Sequence, residues 1–115
     1  MSNWTQPEAI ALCVAIEAIC PKYGCHVALT GGLLYKDGLR KDCDILFYRI
    51  RQQKQIQIEA MWQELVRIGF IKVSGFGWCF KAEYGPQRKK VDCFFPEEEK
   101  GEYISKKDIE EGVFK

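Results

Sequence analysis

Acidic residues stand inside two of the most strand-like segments of this chain. Asp42 and Asp44 lie at the head of residues 43–50, a run rich in aromatic and β-branched side chains, and Asp92 lies within the largely apolar run 90–95. A carboxylate among apolar neighbours is costly to bury unless a partner neutralises it or hydrogen-bonds to it. Any fold of this chain must therefore provide Asp92 with a partner.

The first predicted helix begins near the N-terminus, where the sequence carries a helix-start signal. Thr5 can cap a helix, Glu8 stands at the capping-box position, and Pro7 is tolerated in the first turn. The segment 9–19 that follows is apolar nearly all round, which predicts a well-buried helix. Pro21 and Gly24 would end it.

The rest of the pattern predicts one further helix and several strands. Apolar residues recur at three- and four-residue steps within residues 52–68, which predicts an amphipathic helix that stops at Gly69. Strands are predicted over residues 26–29, 43–50, 70–73, 77–84 and 88–95, with turns at 74–75 and 85–86 and a linker or short helix over 33–41. This order predicts an α/β (α+β) fold, a mixed sheet with helices packed mainly on one face. It also predicts one domain over residues 1–115, with a charged tail from about residue 97.

Composition excludes several classes of protein. The chain has 115 residues and is 47% apolar, which disfavours disorder, and its formal net charge of +1 disfavours a small nucleic-acid-binding domain. The longest apolar run, residues 9–20, is too short to span a bilayer and contains Glu17. The N-terminus lacks the basic start and apolar core of a signal peptide. We therefore expect a cytoplasmic protein with no membrane partner.

Six cysteines raise the question of disulfides or zinc. Most of them lie in apolar runs, and no export signal accompanies them, which favours free thiols in a reducing compartment. A zinc site would have to use Cys20, Cys25 and His26. That spacing lacks a Cys-x-x-Cys knuckle and a second matching pair, so core cysteines are the preferred interpretation.

The double glycine Gly31-Gly32 directly follows a predicted strand. A turn without side chains can bring backbone N–H groups against phosphate oxygens, especially where a helix begins just after it. A plain tight turn would have the same sequence. A P-loop is excluded because no Gly-Lys-Ser/Thr follows, and Gly75-x-Gly77 lacks the third glycine of a dinucleotide site.

Asp42 and Asp44 are two residues apart, so their side chains point to the same face of a strand. Two carboxylates on one face repel each other, and a divalent cation such as Mg²⁺ removes that repulsion. A solvated strand end would also accommodate both. If the Asp92 strand pairs beside this one, about 4.8 Å away, all three carboxylates converge and suit a two-metal site.

Basic residues precede this pair of aspartates. Lys36, Arg40 and Lys41 lie in the loop between the glycines and the aspartates, where they could meet a triphosphate, although a charged loop is also compatible with simple solvation. Arg40 and Lys41 are the first candidates because they are nearest to Asp42.

These segments together resemble the signature of the polymerase-beta-like nucleotidyltransferase superfamily, in its minimal single-domain form. The resemblance rests on Leu29-Thr30-Gly31-Gly32, a spacer of nine residues, Asp42-Cys43-Asp44-Ile45 and Val91-Asp92-Cys93. It extends from the first helix to about Phe95. The whole pattern is far more specific than any of its parts.

The resemblance implies a reaction class. Gly31 and Gly32 would hold the phosphates of a nucleoside triphosphate, Asp42 and Asp44 would hold Mg²⁺ or Mn²⁺, and Asp92 would complete the metal site and help to activate the attacking hydroxyl. The acceptor would be a protein, an RNA or a small molecule. Some minimal members act in toxin–antitoxin or defence-related systems. The alternative is a catalytically silent nucleotide-binding or protein-interaction module on the same fold, against which the presence of all three aspartates argues.

The cysteine pattern yields a prediction that is independent of function. All six thiols should be free in protein made in a reducing cytosol, because their surroundings are apolar and no export signal is present. Titration of denatured, unreduced protein with a thiol reagent should find six reactive groups. A count near four or below would mean that at least one pair is oxidised.

Overall fold

The computed structural model describes residues 3–36, 38–76 and 79–97. Within them the chain folds as three α-helices, one short 3₁₀ helix and five strands. In chain order these are α1 (Gln6–Glu17), the 3₁₀ helix (Cys20–Tyr23), β1 (Cys25–Thr30), α2 (Gly32–Tyr35), β2 (Asp42–Arg49), α3 (Ile58–Arg67), β3 (Phe70–Phe76), β4 (Cys79–Tyr84) and β5 (Lys89–Phe94). The predicted strand at each of the five positions is present, with boundaries shifted by a few residues.

The five strands form one sheet in the order β1-β2-β5-β4-β3. β2 and β5 are parallel, whereas the other three neighbouring pairs are antiparallel. A parallel pair needs a long crossover, and here α3, β3 and β4 lie between β2 and β5 in the sequence. The predicted mixed sheet is therefore confirmed.

Strict alternation along β2 separates a covered face of the sheet from an open one. Cys43, Ile45 and Phe47 are fully buried, the residues between them are partly buried, and the flanking Asp42 and Tyr48 are exposed. The Phe47 ring stacks on Phe95 with a centroid distance of 4.7 Å, in the core beneath the helices. We call the other side, which carries the aspartates of β2, the open face of the sheet.

Trp4 ties the N-terminus to both strands that carry aspartates. Its backbone N–H donates to the Arg40 carbonyl at 2.7 Å, and its carbonyl accepts from the Arg40 N–H at 3.0 Å. Its indole Nε1 donates to the Lys90 carbonyl at 2.8 Å. Because Arg40 precedes β2 and Lys90 lies near the start of β5, Trp4 fixes the entry of both strands, the first through its backbone and the second through its buried side chain.

The first helix confirms its predicted start but is not buried all round. Thr5 and Glu8 form the reciprocal capping box, and the helix begins at Gln6. Ile10 and Val14 are 49% and 67% exposed, so one side of the helix faces outward despite its apolar composition. The uniform apolar pattern carried no information about which side would pack.

The second predicted helix is shorter than expected. The structure begins α3 at Ile58, so residues 52–57 are not helical and the predicted start at residue 52 is wrong. Gln53 donates its backbone N–H to the Ile50 carbonyl at 2.9 Å in a turn that follows β2. The regular apolar spacing begins only at Ile58, where Met61 and Leu65 supply the buried side.

The predicted turn at residues 74–75 is also wrong. Both residues lie inside β3, whose register against β4 shifts between Lys72 and Ser74 as in a β-bulge. Gly75 pairs with Phe80 beyond this shift, and a glycine within a strand gives the same sequence signal as a glycine in a turn. The predicted turn at Gly85 and Pro86 is confirmed, with the Arg88 N–H donating to the Gly85 carbonyl at 3.0 Å. Gly77, Trp78 and the predicted tail beyond residue 97 lie outside the described residues.

The cysteines are unpaired and mostly buried. The Cys25 thiol contacts the Met61 sulfur at 3.5 Å in the core, whereas the neighbouring His26 pairs with Glu17 through Nδ1 at 2.6 Å. The residues of the zinc alternative therefore have other partners. Over the described parts of the chain, no helix combines the length and the apolar character needed to cross a membrane.

The two faces of β2 should respond differently to truncation. Phe47→Ala should lower the free energy of unfolding by about 3–5 kcal/mol, because it leaves a cavity against Phe95 in a fully buried core. The adjacent Tyr48→Ala, on the open face and 39% exposed, should cost less than about 1 kcal/mol. Urea unfolding of both variants measures the difference, and similar losses would contradict the assignment of faces.

Candidate functional site

The sheet register brings two of the predicted site carboxylates side by side. Asp44 on β2 pairs directly with Asp92 on β5, and Asp42, two residues earlier on β2, pairs with Lys90. Paired residues on neighbouring strands point to the same face of a sheet. All three aspartates therefore lie at one end of the open face, on neighbouring strands as the sequence predicted.

A lysine that sequence analysis did not single out completes this row. Lys81 on β4 pairs with Asp92, and its Nζ lies 3.5 Å from Asp92 Oδ1. Two features of the sequence point to it in retrospect. The alternation of buried Phe80 and Ala82 directs Lys81 to the other face, and the turn at Gly85 brings it opposite Asp92.

This arrangement strongly perturbs the pKa of Asp44. Partial burial, then the charge of Asp92, a hydrogen bond between the two carboxyl groups and the charge of Asp42 raise the pKa of Asp44 to about 6. Lys81 acts in the opposite direction and lowers this pKa. A hydrogen bond between two carboxyl groups forms only when one of them carries a proton, which is why this contact raises the pKa of Asp44.

The close approach of the Asp44 carboxylate requires a glycine at position 31. Its φ of +71° lies in the region that favours glycine, and a Cβ atom there would stand 2.2 Å from Asp44 Oδ2. Gly32 then begins the single turn of α2, where the Leu34 N–H donates back to the Gly31 carbonyl at 3.1 Å. The first N–H groups of a helical turn have no partner within it, so the backbone at Gly32 is able to donate to a ligand.

A cavity of about 330 Å³ opens beside these groups. It is lined by Gly32, Tyr35, Lys36, Arg40, Lys41, Asp42 and Asp44. The predicted phosphate-binding Gly32, Arg40 and Lys41 therefore share one cavity with two of the predicted metal ligands. Gly31 and Asp92 are not part of its lining, although each contacts or pairs with Asp44.

Arg40 has a donor poised for a ligand. Its Nε is buried and, among the described residues, has no hydrogen-bond partner. The same atom lies 3.2 Å from where a Cβ on Gly32 would stand, so the absence of a side chain at Gly32 leaves the guanidinium its place. A buried unsatisfied donor is unfavourable unless a ligand or water completes it.

The donors around Asp42 suit a hard divalent cation in chemical type, because all three are carboxylates. Within the described residues, however, no group of three or more histidine, cysteine, aspartate or glutamate side chains is arranged to hold a metal ion. Asp92 instead lies between Asp44 and Lys81 on the two neighbouring strands. The metal-binding roles of Asp42, Asp44 and Asp92 therefore stay a prediction.

Several aromatic and basic residues near β5 are not part of the cavity lining. Phe80 is 2% exposed and packs in the core. Arg88 pairs with Glu83 at 2.8 Å, and Lys89 pairs with Glu8 at 2.7 Å. These two basic residues thus have ion-pair partners, Glu83 on β4 and Glu8 on α1.

Solved structures with a similar fold are nucleotidyltransferases. The Cid1 poly(U) polymerase superposes with a TM-score of 0.64 at 15% identity, over 80% of this chain and 31% of that chain. A cytoplasmic RNA terminal U-transferase gives 0.59 at 14% identity, over 80% and 28% of the two chains. Leishmania infantum polymerase beta gives 0.64 at 8% identity, over 82% and 43%.

These comparisons establish the fold, which is that of polymerase-beta-like nucleotidyltransferases. The chain spans less than half the length of each of the three structures. No family model and no curated protein matched the sequence.

The perturbed Asp44 carboxyl predicts an unusual dependence of stability on pH. A folded-state pKa of about 6, above the ordinary 3.8, means that stability falls as pH rises from about 4 to about 6. Asp44→Asn should therefore stabilise the cation-free protein at pH 7.5 by about 1–2 kcal/mol, a value reduced for partial solvent screening. The gain should vanish near pH 4.

Urea unfolding in the presence of EDTA at several pH values measures this effect. Asp42→Asn is the matched control, because it removes an exposed carboxylate from the same face of the same strand. Its gain should be smaller, since Asp42 contributes only a minor part of the perturbation of Asp44. If the Asp44→Asn variant and wild type keep a constant difference from pH 4 to 8, the carboxylates do not interact as described.

Proposed function

We propose that this protein is a metal-dependent nucleotidyltransferase that moves a nucleoside monophosphate from a nucleoside triphosphate to a hydroxyl acceptor. The observation that carries the proposal is the composition of the cavity. Cationic side chains from one loop line the same cavity as Asp42 and Asp44, and Gly32 of the glycine turn is part of its lining. A polyphosphate with a divalent cation is the ligand class that complements both sides.

The cationic side of the cavity would bind the phosphates. Arg40 would donate its unsatisfied Nε to a phosphate oxygen, which removes the cost of burying that donor without a partner. Lys41 and Lys36, both exposed at the cavity, would contribute point charges. The backbone N–H groups at Gly31 and Gly32 would donate to the same phosphates, as at other glycine turns.

The carboxylates would hold Mg²⁺ or Mn²⁺. Asp42 and Asp44 supply hard oxygen donors at the cavity, and Asp92 supplies a third on the next strand. A bound cation would neutralise the crowded carboxylates and the developing charge on the phosphates. The close contact of Gly31 with Asp44 would hold this carboxylate toward the phosphate-binding turn.

The proposed reaction is an in-line displacement at phosphorus. The oxygen of the acceptor hydroxyl forms a bond to the α-phosphorus while the bond from that phosphorus to the α–β bridging oxygen breaks. Pyrophosphate leaves with the bonding electrons, and Asp92 accepts the hydroxyl proton. Such chemistry depends mainly on positioning and charge stabilisation, so few protein groups are needed.

The acceptor would approach from the open face, beside Asp92. The similar proteins named above include polymerases and a terminal transferase of RNA, which supports an RNA among the candidate acceptors; a protein or a small molecule fits the same hydroxyl chemistry. A cytoplasmic location and a place in a toxin–antitoxin or defence-related system belong to the same proposal. So does action as a minimal single domain.

A catalytically silent binding module is the second candidate. One observation favours it: the carboxylates of the described residues do not converge as a three-ligand group, and Asp92 is paired with Lys81 instead. Such a module would bind a nucleotide in the cavity without transferring it.

Nucleotide binding and transfer separate these two functions. With Mg²⁺ or Mn²⁺ and all four nucleoside triphosphates, wild type should show a rise in melting temperature and should release pyrophosphate when a broad pool of acceptors is present. Asp44→Asn should abolish the cation-dependent part of the thermal shift. Asp42→Asn and Asp92→Asn should lower transfer at least about 100-fold, the order of magnitude for removing one preorganised electrostatic group.

Glu83→Gln is the matched control for these variants. It makes the same kind of carboxylate-to-amide change on the open face, but Glu83 lies on β4, where it pairs with Arg88. Its transfer rate should stay within about twofold of wild type. Clear nucleotide binding with pyrophosphate release at background would favour the binding module, and no binding of any nucleotide would overturn both.

A further inference from the structure

Lys81 lies beside Asp92, on the side away from Asp44. It stands on β4 directly opposite Asp92, and its Nζ is 3.5 Å from Asp92 Oδ1. On the other side of Asp92, β2 presents Asp44. Asp92 therefore has a like charge on one neighbouring strand and an opposite charge on the other.

We infer that Lys81 is a positioning residue whose ammonium serves as the counter-charge of Asp92 in the cation-free protein and yields this carboxylate when a divalent cation binds. The inference rests on the proposed function. It adds an ordered exchange: the cavity at Asp42 and Asp44 takes nucleotide with its cation first, and Asp92 joins the site only on leaving Lys81.

Unequal burial supports an exchangeable partner. The Asp92 side chain is only 17% exposed, so its carboxylate is largely withdrawn from water and needs a partner at all times. The Lys81 side chain is 50% exposed, so its ammonium can move into water at little cost. A partner of this kind stabilises Asp92 without being fixed to it.

The length of the contact agrees with this role. At 3.5 Å it is longer than the usual range of about 2.7–3.2 Å for a strong hydrogen bond from nitrogen to oxygen. Elsewhere in the protein Lys89 holds Glu8 at 2.7 Å and is itself only 13% exposed. Lys89 is thus a fixed structural partner, whereas Lys81 is a loose one.

The order of the strands gives the exchange a direction. β5 lies between β2 and β4, so a cation shared by Asp44 and Asp92 would draw Asp92 toward β2 and away from Lys81. Lys81 remains paired until that cation arrives.

The test is a Mn²⁺ titration followed by electron paramagnetic resonance at low ionic strength, with and without a non-hydrolysable triphosphate analogue. Lys81→Met should bind Mn²⁺ about two- to fivefold more tightly than wild type, because a partly exposed ion pair of about 0.5–1 kcal/mol no longer competes. Lys81→Arg keeps the competing charge and should bind within about 1.5-fold of wild type, since the pair is preserved.

Lys90→Met is the matched control. Lys90 lies on the open face opposite Asp42, is exposed, and has no ion pair with a carboxylate among the described residues. Its loss removes the same charge, and affinity should rise by less than about 1.5-fold because charge alone is screened at an exposed position. An equal gain in Lys90→Met and Lys81→Met would overturn the inference, since bulk charge would then explain both.

A double-mutant cycle keeps the inference separate from the proposed function. In EDTA, Lys81→Met and Asp92→Asn should show a coupling in melting temperature, and Mn²⁺ should restore Lys81→Met more than wild type. If no variant binds Mn²⁺ while the coupling is present, the proposed function fails and the pairing stands as structural only. If Mn²⁺ binds but no coupling exists, the role of Lys81 is wrong and the proposed function survives.

Discussion

The parallel pairing of β2 with β5 forces Asp44 and Asp92 side by side, where their carboxylates repel each other. Much of the site follows from that repulsion. Strand register is set by the buried residues of the covered face, such as Ile45 and Val91, so the two carboxylates cannot move apart without disturbing the core. The energy of core packing thus holds two like charges together. Their mutual repulsion is then available to be relieved by a ligand.

Three local features respond to this constraint in different ways. At Asp44, partial burial and the neighbouring carboxylates raise the pKa to about 6. On the far side of Asp92, the ammonium of Lys81 offsets part of the carboxylate charge. Gly31, by lacking a side chain, leaves space for the Asp44 carboxylate beside the turn. Neither a proton nor one loose ammonium relieves the repulsion as well as a divalent cation would, because each neutralises at most one charge.

Sequence reasoning succeeded where a local pattern had one structural meaning. The strands around Asp44 and Asp92, the capping box at Thr5 and the turn at Gly85 were all predicted from short-range signals. It failed where tertiary packing decided the outcome. The apolar segment of α1 did not reveal which side would stay exposed, and Gly75 resembled a turn although it is paired inside β3. Lys81 escaped notice for the same reason, since its role depends on which strand becomes the neighbour of β5.

The cavity is lined by cationic side chains of one loop and by carboxylates of the sheet. Arg40 and Lys41 lie in the loop before β2, and the aspartates lie on the sheet. Among the described residues Arg40 Nε has no hydrogen-bond partner, and burial and the neighbouring carboxylates raise the pKa of Asp44 to about 6. Trp4 fixes the backbone of Arg40 and the sheet register fixes that of Asp44, so neither backbone is free to move toward the other. In the proposed function, a triphosphate with its cation would bring negative charge to the cations of the loop and positive charge to the carboxylates of the sheet.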